Sequence, residues 1–529
     1  MRNIIPYSKA SKSLSKREKV GQFFMPAAFI NDTEEEISAL ENLIKEQGIG
    51  GLCFFHSRAS AATNFEGKKK IIYNTDSLNT LKKLIKRYQK AAKHTLLISI
   101  DAEWGLAMRI ENTPQYPYAI CLGAMTSNLD LVEAVGKNIA LDCKDAGIHW
   151  NLAPVVDINN NPNNPVIGYR SFGEDKENAT QKALAFIKGT QEAGILTSIK
   201  HFPGHGDTDT DSHLDLPLIT KNKEELWENE LYPFRKIIAS GKLDSVMIGH
   251  LSVPALAGGN KISSSISKDI IKGVLRKELG FNGVIISDAL NMHAVSKNYP
   301  KKGELEWLAF DAGNDILCFT EHTFEGIETI FKKAHSKAIE EAFKRVWLLK
   351  EKAINNIQNE KEVVIDSSEV NSKIAQKSIT QIIANSTDFK NEKFVGIAIT
   401  NLSENSFFNH IKKEKEFNFY LTSKNSISEI QTMINDYKNI LLSIETPKVK
   451  PHNKFDIPEY YWDFIEDLLQ TKNVILYVFG SPFILNHITY KKAKSVIIGY
   501  QDFKEFKITG ANHFLKKIEA NGSLPITIS

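Results

Sequence analysis

The stretch LTSIKHFPGHGDTDTDSHLDLP (residues 196–217) opens as a short apolar run, delivers Lys200 at its end, and then carries two glycines, three histidines and four aspartates. An apolar run of that length bounded by turn residues is a buried strand. The titratable groups after it cannot belong to a packed core, because burying each one unpaired costs several kcal/mol. The stretch is therefore a strand feeding a loop that holds a metal, is merely solvated, or performs proton chemistry.

The same pattern extends in both directions. Apolar runs at 51–55, 95–100, 150–156, 196–199, 245–249, 283–287 and 316–319 predict strands. Amphipathic segments at 33–47, 76–93, 128–146, 176–193, 223–240, 267–279 and 303–312 predict the helices between them. Strand and crossover helix in alternation make a largely parallel sheet, and roughly 350 residues of it is the size of a (β/α)₈ TIM-like barrel with insertions. Six of the strands are followed by charged or imidazole side chains: His56, Asp101, Asp157, Lys200 with His201, His250 and Asp288. Any single aspartate there could simply cap the next helix. In a barrel all six strand ends meet on one face, so they predict a polar pocket.

A long helical segment, 324–356, leads into a charged stretch, after which the alternation restarts with strands at 394–400, 417–421, 440–444, 474–479 and 495–498. This is the pattern of a smaller doubly wound αβ sandwich domain. The expected organisation is a barrel catalytic domain over 1–357, a linker over 358–368 and the sandwich over 369–529. No glycine-rich phosphate loop accompanies these strands, so nucleotide binding has no support.

Composition narrows the function classes. The chain of 529 residues is 42% hydrophobic and 24% charged, and its 66 Lys+Arg against 63 Asp+Glu leave a formal charge of only +3. Neither sign forms a long block, which disfavours nucleic acid as a partner. The four cysteines form no CxxC pair and read as reduced, structural thiols. No run of about 18 apolar residues predicts a membrane span. The N-terminal residues lack the apolar stretch of a secretory signal, which points to a cytoplasmic protein, or a periplasmic one if a leader has been removed.

The loop's chemistry can be weighed residue by residue. An EF-hand starting at Asp207 would need glycine and glutamate where Ser212 and Leu218 stand. Zinc on His201, His205 and a carboxylate lacks the usual helical spacing. Proton transfer fits better: Asp211 and His213 share one side of an extended segment. The carboxylate there raises the imidazole pKa and orients the ring as a general acid and base. Gly204 and Gly206 are expected to give the loop freedom to close over a substrate. Asp288, delivered rigidly by its strand to the same face, supplies the fixed carboxylate that glycoside hydrolysis requires.

The motif IKHFPGHGDTDTDSHLDLP, with NLAPVVDINNNPNNPVIGYRSFGED (residues 151–175) and VIISDALNMHAV (residues 284–295), resembles glycoside hydrolase family 3, in its β-N-acetylhexosaminidase branch. The resemblance spans nearly the whole chain, and the ending NGSLPITI looks like the closing strand of that family's sandwich domain. It implies a retaining β-N-acetylglucosaminidase acting on a carbohydrate with terminal N-acetylglucosamine, in cell-wall or amino-sugar recycling, with no metal or other cofactor; the alternatives are a β-glucosidase or other exo-glycosidase on the same scaffold and a catalytically silent sugar-binding protein. It also implies Asp288 as the nucleophile, His213 as the acid and base, and Asp211 as its partner. Asp101, Arg109, Arg170, Lys200 and His201 fall where the family binds sugar, and Met292 lies near the nucleophile. One segment departs from the family's DQEGGRVQR: this chain has DAEWGLAMR (residues 101–109), with Trp104 replacing a glycine and Leu106 an arginine. Trp104 then serves either as a stacking surface or as core packing.

Overall fold

A computed structural model describes residues 4–56, 72–208, 216–357, 365–384, 389 and 392–528. The chain forms two compact units, one built from Met1–Tyr116, Val132–Ile158 and Ala179–Val364, the other from Pro117–Leu131, Asn159–Asn178 and Ile365–Ser529.

The first unit is a closed parallel barrel. Strands β2 (Ala27–Phe29), β3 (Gly51–Phe55), β4 (Leu97–Ile100), β5 (Trp150–Asn151), β6 (Leu196–Phe202), β7 (Ser245–Ile248) and β8 (Val284–Ser287) pair in sequence order in one seven-stranded sheet. β1 (Phe24–Met25) pairs with β9 (Leu317–Cys318), and Ile316 bridges to Ile286 of β8. β1 and β2 are one strand interrupted at Pro26, which has no N–H to offer the ladder. The ring therefore closes with eight staves. The seven predicted barrel strands are all found, several with shifted ends. The first stave is the addition, since FMPAAF carries neither β-branched residues nor alternation.

Other boundaries differ for identifiable reasons. The strand expected over 150–156 stops at Asn151, with Pro154 leaving only a bridge at Val155. The helix expected over 223–240 is two helices, Lys223–Glu228 and Tyr232–Ala239, the second with Pro233 in its first turn, where proline is tolerated. The long segment 324–356 divides likewise into Thr323–Lys333 and Ser336–Ile357.

The second unit holds a six-stranded sheet in the order β10-β15-β14-β13-β11-β12. Its strands are β10 (Thr380–Ala384), β11 (Phe394–Ile399), β12 (Phe419–Leu421), β13 (Asn439–Glu445), β14 (Asn473–Phe479) and β15 (Ser495–Ile498). All pairs are parallel except β10 with β15. The chain steps outward from β11 to β12 and then returns past β11 to β13, so the strand order reverses beside β11. That is the topological switch of a doubly wound sheet. The ending NGSLPITI is not a strand. The Gly522 N–H donates to Ile379, the Ser523 N–H to Ala124, and the Pro525 carbonyl accepts from Glu174, so its backbone groups are spent on loops. No helix among the described residues is long and apolar enough to cross a membrane.

At the start of β5, His149 is buried and its Nδ1 accepts the Ile98 N–H at 3.0 Å, a role open only to the neutral ring. Burial, reinforced by the charge of Lys350, pushes its pKa down from 6.5 to about 4. Unfolding therefore takes up a proton between those values, so stability should fall by on the order of 3 kcal/mol as pH drops from about 6.5 to about 4. Chemical denaturation across this range checks it. In His149→Asn, whose amide oxygen can accept the same N–H, this slope should vanish.

Candidate active site

The carboxyl ends of the barrel strands carry one connected set of charges. Lys200, at 1% exposure, lies within β6 and donates to Asp101 Oδ1 at 2.8 Å and pairs with Glu103 Oε1 at 2.7 Å. Arg109 binds the other oxygen of Asp101 at 2.7 Å, and its guanidinium lies 4.8 Å from the centre of the Phe55 ring. Burial raises the cost of ionising Asp101, but the Lys200 and Arg109 charges overcome it and hold the carboxyl well below its usual range. The short turn containing these acids is fixed from below by Asn151, fully buried, whose amide both accepts from the Ala102 N–H at 3.0 Å and donates to the Ala102 carbonyl at 3.1 Å.

A second buried carboxylate organises the start of the loop. Asp157, at 1% exposure, accepts from the His201 and His205 backbone N–H groups, the latter at 2.8 Å, and lies 2.7 Å from His201 Nδ1. Burial again opposes ionisation, and the His201 charge and hydrogen bond outweigh it, so Asp157 too is depressed. His205 Nδ1 lies 2.9 Å from Thr208 Oγ1. Gly204 and Gly206 serve close packing where the loop leaves β6. Gly204 has φ +123°, and a Cβ on Gly206 would sit 1.6 Å from the Ile158 carbonyl oxygen. Lys221 joins Asp207 at 2.8 Å to Glu230 at 2.6 Å, and the leg after the loop bonds to Ser252, beyond β7. Asp211 and His213 lie outside the described residues.

Asp288 follows β8 directly, its N–H donating to Ile248 and its Oδ1 accepting the Ala289 N–H at 2.7 Å. The residue is half-buried. Desolvation would raise its pKa, but the fields of His250, His201 and Lys200 and the Ala289 hydrogen bond together lower it. His250 is itself fixed, with Nδ1 2.8 Å from Ser265 Oγ and Nε2 2.9 Å from the Ala289 carbonyl. Met292, 5% exposed, precedes the turn of helix His293–Ser296. The unit thus brings Asp101, Arg109, Lys200, His201 and Asp288 to one rim. Arg170 sits on the short turn Gly168–Arg170, in the second unit.

Glu103 and Asn151 join this assembly from outside the residues expected there, and Asp157 and His250, expected in the pocket as strand ends, had no role assigned to them. Asp157 and His250 carried a signal, since both follow strands. Glu103 had the signal of being kept in the DAEWGLAMR segment, while Asn151 had none beyond position, because its importance comes from a partner far away in sequence. The departure at Leu106 is absorbed structurally, the side chain being 1% exposed in the core, while Trp104 is half-buried. His56, at the end of β3, pairs with Glu111, which also accepts from Ser77 Oγ at 2.5 Å.

Carboxylates, an ammonium, a guanidinium and imidazoles around a barrel mouth form a site for a polyhydroxylated ligand and for nucleophilic or proton-transfer chemistry. Residues 15–349 match the description "Glycosyl hydrolase family 3 N terminal domain". The chain belongs to glycosyl hydrolase family 3. It is 34% identical over 291 residues to a protein named β-hexosaminidase A from Pseudoalteromonas piscicida, covering 52% of this chain and 46% of that one, so the match spans under half of that relative. It is 37% identical over 248 residues to a β-hexosaminidase from Tolumonas auensis, covering 46% of this chain and 72% of the other. The solved structure of a family 3 β-N-acetylglucosaminidase from a Paenibacillus species superposes with a TM-score of 0.78 at 25% identity, covering 98% of this chain and 99% of that one.

Asp157→Asn should destabilise the first unit by about 3 kcal/mol, because the amide cannot accept from two backbone N–H groups and His201 together. Urea unfolding of the variant against the parent measures this.

Proposed function

We propose that the protein is a retaining exo-β-N-acetylglucosaminidase that removes terminal N-acetylglucosamine from glycans or cell-wall fragments without a cofactor, as in peptidoglycan recycling. The observation that carries this reading is Asp288: a carboxylate held by its strand and by the Ala289 N–H, kept ionised by neighbouring cations, beside the Asp101–Arg109–Lys200–Glu103 network. The relatives named β-hexosaminidase favour the N-acetyl sugar as substrate.

In this mechanism Asp288 attacks the anomeric carbon while His213, oriented by Asp211, gives its proton to the departing glycosidic oxygen. The C–O bond to the leaving group breaks as the ester to Asp288 forms. Water then attacks the same carbon, His213 takes its proton, and Asp288 departs as the carboxylate. Two inversions give net retention. Asp101, Arg109, Lys200 and His201 hold the sugar hydroxyls through charge-assisted hydrogen bonds, with Glu103 keeping Lys200 in place. Met292 belongs to the sugar site in this reading. The anchored flanks of the loop, at Asp207 and at 217–219, support a role for the segment between them at this rim. The barrel over 1–357 is the catalytic domain in this reading, with 358–368 as linker and 369–529 as the sandwich.

Nitrophenyl β-N-acetylglucosaminide should be cleaved with retention and without sensitivity to a strong chelator, and the matching β-glucoside far more slowly. Preferential cleavage of the glucoside would overturn the substrate assignment. Asp288→Ala should lose at least about 10³-fold in kcat with its unfolding transition intact. For His213→Ala the loss should depend on the leaving group. Substrates with alkyl or sugar aglycones should slow by roughly 10²–10⁴-fold and activated aryl glycosides much less, because only the former need protonation. Equal losses on both classes would remove His213 from the acid role.

A further inference from the structure

The second unit contains a cavity of about 830 Å³ at the carboxyl end of β12, between the loop that follows it and the helix Glu459–Thr471. We propose that this cavity is an accessory binding site for a neutral oligosaccharide chain, separate from the catalytic rim. It stands on the second unit's own geometry and does not depend on the catalytic reading.

Its position is the first ground. The cavity begins at the loop after β12, the edge strand next to the reversal at β11, and doubly wound sheets bind ligands near such a reversal. The deeper part of the crevice is already filled. Glu445 accepts from Thr400 Oγ1 at 2.6 Å and Asn405 Nδ2 at 2.7 Å and pairs with Lys507 at 3.1 Å, all four side chains being buried. A ligand therefore meets the cavity outside this plug.

The lining is the second ground. Tyr460, Asp463 and Asp467 stand at i, i+3 and i+7 of one helix, which puts them on a single face. Tyr460 is 57% exposed, with its ring centre 4.5 Å from that of Tyr461. The opposite wall presents Asn425 and Gln431. An exposed aromatic face beside carboxylates and amides is the chemistry that stacks on a sugar ring and bonds its hydroxyls. One lysine, Lys424, against two aspartates disfavours a polyanion.

The walls are held in place before any ligand arrives. Tyr461 donates to the Thr422 carbonyl at 3.3 Å, Ser423 to the Leu402 carbonyl at 2.5 Å, and Ser426 with Glu429 forms a capping box at the start of helix Ile427–Ile434. A preorganised wall lowers the ordering cost of binding.

The test uses the full chain carrying Asp288→Ala, so that no probe is consumed. Hydrogen exchange is followed with and without cellotetraose and the tetramer of N-acetylglucosamine. At least one should slow exchange in 422–431 and 459–467. Tyr460→Ala should weaken that binding about tenfold, and in the otherwise native enzyme it should leave turnover of small nitrophenyl glycosides unchanged while slowing that of long chains. No slowing in these segments with either probe would overturn the site. So would binding by Tyr460→Ala equal to the parent's, or a stronger response to a heparin tetrasaccharide than to both neutral probes.

Discussion

A lysine ammonium at the core of a barrel is tolerable only when it is paired, and Lys200 is paired twice, with Asp101 and Glu103. Removing either carboxylate would leave charge poorly compensated in a site almost closed to water, where that penalty is largest. The constraint couples the ends of β4 and β6, which are separated by β5. It explains why Asn151 of β5 grips the Ala102 backbone from both sides, since the two acids must arrive at fixed positions. Arg109 then neutralises the remaining charge of Asp101, and the Phe55 ring backs its guanidinium.

The same logic repeats one strand further on. Asp157 spends its charge on the His201 and His205 backbone and on the His201 ring, so the loop leaves β6 along one path. The glycines of PGHG let that path run against the neighbouring backbone. Asp288 differs from both acids. The fields of His250, His201 and Lys200 and the Ala289 N–H favour its charge, and the residue is half-buried. Asp101 and Asp157 pair with charged or imidazole side chains of the protein, whereas Asp288, among the described residues, is held by a backbone N–H, which favours the nucleophile's role proposed for it.

The two sheets solve the problem of covering parallel strands in different ways. The barrel has no edge, because β1 and β9 close it. The open sheet of the second unit ends at β10, which runs antiparallel to β15, and at the short β12. Short edges limit the exposed row of backbone donors and acceptors. The reversal beside β11 leaves a crevice at one end of the sheet, and buried polar side chains fill its floor.

Most of the architecture was legible because strand and helix periodicities alternate cleanly, and because parallel strands must be apolar on both faces, as GLCFF and VIIS are. The strand ends were legible for a related reason: a charged residue straight after an apolar run marks where the chain leaves the core. The first stave FMPAAF and the edge strand TQIIA lacked such contrast, and the pairing of NGSLPITI with loops depends on distant backbone groups. What sequence alone determined was thus the succession of elements and the residue types at their ends, both set by local burial. Which of those ends met, that Lys200 would be shared by Asp101 and Glu103, and that Asp157 would be spent on the backbone and ring of the loop's first residues, only the tertiary structure decided. Those pairings join residues up to about a hundred positions apart, and the energy of a buried charge is fixed by whatever closure of the barrel brings beside it.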